Sequence, residues 1–379
     1  MPRKFVHQFE PKKLSPVAHP GDEVELTVQQ IEAAGISEVL QRSGARVGSW
    51  SLLEALLEPG EPHFRFREPL GAAREVKVAA SGLFGRFVAR AYLTRYFKLA
   101  FFENLGTKQI TLNKNLRRQI RRAAGTHGDL PDWVACSASL SGITIAEAKG
   151  CHDKPGPKKA LKRAWRQAKR VNVIVGGKRV AVKRIAIATR WASKIGGASE
   201  PIIGVHDPVE EGEPETAQYL DDACVGLARL HIANLLEPLG YPELARSIRD
   251  LLVRNQPEPS KGEWLNARNV LDNAQLREIR SDTNTSAPEF GPLIGGIVTR
   301  AGPLARNGIS HGDANTLRSL GLSPVFVGIE RELIGAAISG DPQQIRAAIK
   351  RESLLEREDI FADFSGTCVA HVGGGTQVD

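Results

Sequence analysis

Residues 130–182 read LPDWVACSASLSGITIAEAKGCHDKPGPKKALKRAWRQAKRVNVIVGGKRVAV, from Leu130 to Val182. Trp133 to Ala138 and Ile143 to Ala146 are short runs of small and β-branched residues separated by Leu140-Ser141-Gly142, the pattern of a hairpin. Pro131-Asp132 stands at its entrance and Glu147-Ala148-Lys149 at its exit. Pro155-Gly156-Pro157 then introduces a helix over Lys158 to Val171. Val173-Ile174-Val175, the turn Gly176-Gly177 and a strand over Val180 to Thr189 follow. Alternation of element types predicts an α/β fold, a mixed central sheet flanked by helices.

Charge is distributed unevenly around this stretch. From Lys154 to Lys194 there are fourteen Lys and Arg and no Asp or Glu, so the rest of the chain is net −6 against an overall +8. From Asp207 to Asp222 seven acids occur without a single Lys or Arg. A long acid-free basic segment is tolerated best where phosphates neutralise it, which predicts a polyanion-binding face. Its candidate contacts are Lys158, Lys159, Lys162, Arg163, Arg166, Lys169, Arg170, Lys183 and Arg184. Trp165 and Trp191 are read as packing residues rather than base-stacking platforms.

Period two in a strand puts Glu147 and Lys149 on one face and Ala148 on the other, and the hairpin returns Asp132 beside Glu147. Two carboxylates and an ammonium are what phosphodiester hydrolysis needs. A hard cation neutralises developing charge and lowers the pKa of a bound water, and magnesium prefers oxygen ligands.

These residues resemble the PD-(D/E)xK, or restriction-endonuclease-like, nucleases: Pro131-Asp132, fourteen intervening residues, then Glu147-Ala148-Lys149 on consecutive strands. The resemblance covers about Gly82 to Val205 and implies a restriction-endonuclease-like core. It implies that Asp132 and Glu147 bind Mg²⁺ (or Mn²⁺), with the Ala148 carbonyl as a further ligand, and that Lys149 orients or activates water. Many members carry a glutamine on the helix after the ExK strand, and Gln167 stands in a compatible place. The implied activity is a metal-dependent endonuclease acting on DNA rather than RNA. By analogy alone it suggests prokaryotic antiviral defence or restriction, with a partner subunit such as an ATPase and a possible homo-oligomer. The chain departs from the family where a further acid is common on the preceding helix: Arg86 and Arg90 stand there, and Glu103 lies near the far end. That departure leaves one and two metals both open. The competing expectation is a catalytically silent nucleic-acid-binding subunit or scaffold of a larger complex.

The chain divides, on this reading, into an N-terminal arm with a small α/β region (1–80), the nuclease-like core (81–206), an acidic linker (207–222) and a mainly helical C-terminal region with a flexible tail (223–379). Pro11, Pro16 and Pro20 suggest an extended opening segment, and Trp50 to Leu57 a helical pattern. Leu83, Phe87, Val88, Ala91, Tyr92, Phe97 and Phe101 predict a helix over Gly82 to Leu105. Helices are expected over Tyr219 to Leu239, Pro242 to Arg254 and Trp264 to Ile279, then a strand over Pro324 to Ile329 and two more helices, the second capped by Asp341-Pro342.

Other motifs carry less. The four cysteines form no CxxC pair, which argues against a zinc ribbon. Neighbouring residues in Cys151-His152-Asp153 do not face one another as a nucleophilic pair must. His311-Gly312-Asp313 reads as a turn, and Gly295-Gly296 lacks the lysine of a phosphate-binding loop. No apolar run reaches the length of a membrane span, and the first 22 residues lack the apolar centre of a signal peptide, so a cytoplasmic protein without membrane partners is expected.

Overall fold

The computed structural model describes residues 2–9, 22–41, 56–67, 74–106, 109–113, 117–152, 156–193, 200–208, 217–253, 261–276, 279–281, 291–299, 302–303, 324–349, 355–356, 360–371 and 376–378. Seven strands make the main sheet: β1 (Pro2–Phe9), β2 (Glu23–Thr27), β3 (Leu99–Asn104), β4 (Trp133–Ser137), β5 (Ile143–Cys151), β6 (Lys183–Arg190) and β7 (Ile202–His206), in the order β2-β1-β7-β6-β5-β4-β3. The sheet is mixed. β1 with β7 and β5 with β6 run parallel, while the other pairs are antiparallel. The described residues hold eight helices: α1 (Val28–Leu40), α2 (Arg74–Phe97), α3 (Lys158–Ala168), α4 (Ala217–Leu236), α5 (Pro242–Val253), α6 (Lys261–Asp272), α7 (Arg331–Ser339) and α8 (Pro342–Ala348). The fold is α/β, and none of these helices is long and apolar enough to cross a membrane.

Strand parity and small side chains set the layers. In β5, Ala146, Ala148 and Gly150 share one face, and α2 lies against it so closely that a Cβ on Gly85 would stand 2.8 Å from the Gly150 nitrogen. Glu147 and Lys149 share the other face with their β6 neighbours Ala186 and Ala188. There α3 packs through Leu161 and Ala164. Alanines under both helices allow the approach, and the parallel β5-α3-β6 crossover follows from the helical segment between two strands of one sheet.

Several expectations need correction. Residues 82–105 do not form one helix: α2 ends at Phe97, Lys98 adopts φ 55°, and Leu99–Asn104 is a strand at the sheet edge. A short, continuously apolar run such as Leu99-Ala100-Phe101-Phe102 has no periodicity to separate strand from helix. Pro2–Phe9 is no arm but β1, inside the main sheet between β2 and β7. The expected boundary at 80/81 falls within α2. Pro11, Pro16, Pro20 and Trp50 lie outside the described residues, as do Asp153 and His311.

The C-terminal region is mixed rather than mainly helical. Residues 302–303, 293–299, 325–330, 367–371, 360–362 and 355–356 form a six-stranded sheet in that order. Of the expected flexible tail, Thr376–Val378 pairs with Ile279–Ser281. Gly295 and Gly296 belong to that sheet, pressed against the backbone of Val327 and Leu239. Asp341 caps α8 as expected, its carboxylate accepting from the Gln343 amide at 2.8 Å. One buried cluster runs from Phe5 and Ile31 through Trp133 to Ile248 and Leu333, across all the expected divisions.

The acidic stretch is used as counter-charge where it is described. Asp207 pairs with Lys183 at 3.2 Å, and Asp221 and Asp222, inside α4, hold Arg346 and Arg118 at 2.7 Å each.

Candidate active site

Asp132 stands one residue before β4, where the hairpin pairing has ended at Trp133 opposite Ala146. It therefore sits beside Glu147. Its backbone N–H donates to Oε2 of Glu147 at 2.8 Å, and its own Oδ2 accepts from the Ala148 N–H at 2.8 Å. These two bonds fasten the carboxylates to each other's strand. Lys149, two residues on and on the same face, gives its ammonium to Oε1 of Glu147. Asp132, Glu147 and Lys149 thus meet at one point, at the edge of the α3 side of the sheet.

The three differ in exposure. The Glu147 side chain is fully buried, Asp132 is 12% exposed and Lys149 34%. Burial pushes the Glu147 carboxyl up to about 7, against the lowering effect of Lys149, Arg86 and Arg170. Lys149 is the member that reaches solvent.

The adjoining charges come from two helices. Arg86 of α2 binds Oδ1 of Asp132 and, on its other side, the Glu38 carboxylate and Oδ1 of Asn104, the last at 2.9 Å. Its guanidinium also lies over the Trp133 ring, 4.8 Å from the centroid. Glu38, on α1, is fully buried and accepts from Arg90 at 3.2 Å and from the Trp133 indole at 2.8 Å. Three carboxylates (Glu38, Asp132, Glu147) are therefore balanced by three cations (Arg86, Arg90, Lys149). Sequence reasoning missed Glu38, looking for an acid on the helix of Arg86 and Arg90. The available signal was a carboxylate between Ile36 and Val39-Leu40 in the last turn of the apolar helix Val28–Leu40, a position that demands a partner.

Gln167 and Ala148 act through the backbone. Gln167 is buried in the last turn of α3, and its amide donates to the Leu130 carbonyl at 2.6 Å. Beside it Arg170 donates to the Asp129 carbonyl at 2.7 Å. Both clamp the loop that delivers Asp132. In the continued register Ala148 would face Pro131, which has no N–H. A residue's C=O points to the same strand edge as its N–H, so the Ala148 carbonyl faces the Asp132 side with no donor from that neighbour.

A hard divalent ion finds compatible donors here: two carboxylates and a backbone oxygen, the remainder water or phosphate. Among the described residues no three His, Cys, Asp or Glu side chains gather to form a fuller cage. Arg86 and Lys149 already hold one oxygen of each carboxylate, but each oxygen keeps a second lone pair.

The basic residues fall into two groups. Lys158, Lys159, Lys162, Arg163 and Arg166 line the exposed side of α3 and pair with none of the described residues. Lys169 lies over the Trp165 ring at 4.7 Å, with Trp165 edge-on to His206. Lys183 and Arg184 are turned inward instead: Lys183 to Asp207, and Arg184 to the Val182 and Val171 carbonyls at 3.3 and 3.2 Å. An acid-free sequence segment is not acid-free in space, because Asp207 follows β7, the neighbour of β6. Trp191 is buried against Phe64, Phe66 and Phe84. No disulfide joins the four cysteines, and Cys136 is fully buried and Cys151 half-buried. Compared with known proteins, the chain matches no family model, no curated protein and no solved structure.

Proposed function

We propose that the protein is a divalent-metal nuclease that hydrolyses phosphodiester bonds, in DNA rather than RNA. The observation that carries this reading is the meeting of Asp132, Glu147 and Lys149, fifteen and two residues apart in sequence, with the Lys149 ammonium half-buried on the solvent side. Asp132, Glu147 and the Ala148 carbonyl would hold Mg²⁺ or Mn²⁺, which when bound supplies charge neutralisation and a more acidic water. The chain's own residues do the rest. Lys149, at the solvent side of Glu147, is placed to orient that water and to face a phosphate oxygen. Arg86 holds Asp132 from behind, and Gln167 and Arg170 hold the loop in register. The unpaired cations of α3, helix neighbour to the site, draw the backbone in.

One observation favours a different class of function, a nucleic-acid-binding subunit that does not cut: three acids and three cations already neutralise one another. The two readings separate by experiment. Full-length protein is incubated with labelled DNA and RNA in Mg²⁺ or Mn²⁺, beside the Asp132→Ala and Lys149→Ala variants. Cleavage by the wild type alone, with binding retained in all three, is expected. Intact substrates with the wild type, alone and with co-purifying partners, together with no Mn²⁺ binding in titration calorimetry, reject the nuclease reading.

A further inference from the structure

From segments before the site loop and after α3 the chain builds a second, smaller sheet of four strands: Lys178–Val180, Val171–Val175, Arg118–Arg122 and Ile110–Asn113, in that order. Its pairing is antiparallel throughout, and Gly176-Gly177, both at positive φ, form the two-residue hairpin between the first two strands. Parity gives it two unlike faces. Ile120, Val171, Val173 and Val180 share the buried one, and the neighbouring Leu112 meets Gly226 of α4.

The opposite face is polar and basic. One row across it is Arg179, Ile174, Gln119 and Thr111; the next is Asn172 and Arg121. Arg121 and Arg179 are exposed, as is Arg117 at the entry to its strand. None of these three cations pairs with a described residue, whereas Arg118, on the buried face, is closed by Asp222. No carboxylate stands on either row. Cations left in the open without counter-charge, beside amides able to donate, are complementary to a phosphate backbone.

Connectivity ties this face to the candidate active site. The Val171 strand leaves α3 directly, and the Arg122 strand leads into the loop ending at Asp132. The Ala123 N–H donates to the Arg170 carbonyl at 2.8 Å, locking the two exits together.

We propose that this small sheet is a second duplex-DNA contact, in which Arg117, Arg121 and Arg179 grip backbone phosphates flanking the segment presented to Asp132, Glu147 and Lys149. The occupant rests on the nucleic-acid part of the function proposed above; the surface itself does not depend on cleavage.

The test uses full-length protein in EDTA, a short labelled duplex DNA and fluorescence anisotropy over a series of salt concentrations. R121Q/R179Q is compared with wild type, with K162Q/R163Q on α3, and with R246Q, an exposed residue of α5. Each lost phosphate contact lowers the slope of log affinity against log salt by about 0.9, so R121Q/R179Q should lose about 1.8 and R246Q nothing. Thermal melts of R121Q/R179Q matching wild type exclude misfolding. A wild-type slope in R121Q/R179Q, with K162Q/R163Q weakened, overturns this proposal and leaves the nuclease reading standing. Absence of DNA binding by the wild type overturns both.

Discussion

The Asp132 amide lies 2.8 Å from Oε2 of Glu147, so the backbone of one candidate metal ligand holds the side chain of the other. Replacing the Asp132 side chain leaves that bond in place, and Asp132→Asn keeps an oxygen for the Ala148 N–H. The variant should fold and bind DNA while its cleavage rate falls by at least about a hundredfold, as should that of Lys149→Ala. Rates from single-turnover cleavage, set beside binding isotherms, check this. Activity within about threefold of wild type in either variant would remove that residue from the chemistry.

Glu147 also makes stability depend on pH. Its folded pKa is raised, to about 7, chiefly by burial. Between the ordinary carboxylate value and about 7 the native state therefore holds more protons than the unfolded one, and stability falls as pH rises through that window. Glu103, buried beside Asn234 and also raised to about 7, adds to the same slope. Glu147→Gln should flatten the metal-free curve of Tm against pH, leaving the Glu103 part. An unchanged curve means the carboxyl titrates normally. Divalent binding should tighten with pH over the same range in the wild type, because proton and cation compete for Glu147.

Glu38 has Arg86, the buried Arg90 and an indole on its two oxygens. Glu38→Ala leaves Arg86 and Arg90 with uncompensated charge and should cost about 3–5 kcal/mol in urea unfolding. A loss below about 1 kcal/mol would show that Asp132 and solvent suffice for both guanidiniums.

Gly150 follows the ExK segment where α2 comes closest. A Cβ there runs into the Ser81 carbonyl oxygen, a backbone atom that cannot rotate away. Gly150→Ala should destabilise by about 1–3 kcal/mol or more and disturb Lys149 with it. Gly82→Ala, with open space around its Cβ position in the same helix, should be close to neutral or stabilising. Equal melting temperatures for the two variants would contradict the close approach.

Charge reversal of Lys162, Arg163 and Arg166 should weaken DNA binding and flatten its salt dependence, while reversal of Lys183 should act mainly on stability. Lys183 lies between Asp207 and the Phe97 ring, and its loss strands a buried carboxylate. Anisotropy and urea melts on the same preparations separate the two effects. Equal losses of affinity from all four would mean that Lys183 leaves Asp207 for phosphate.

Local order was legible in the residues themselves. The turn Leu140-Ser141-Gly142 and the small, β-branched runs on either side specify the β4–β5 hairpin, and strand parity alone puts Glu147 with Lys149 and apart from Ala148. The basic helix is written in its own spacing, with Leu161, Ala164, Gln167 and Ala168 inward and its cations outward. Tertiary structure decided the rest. The chain's hydrophobic pattern could not separate β3 from α2, place β1 between β2 and β7, or choose Glu38 for Arg86 and Asp207 for Lys183. Side-chain period is a property of neighbouring residues, whereas strand order and charge pairing are set by which distant segments share the core, and a buried charge takes whichever partner that packing brings within reach.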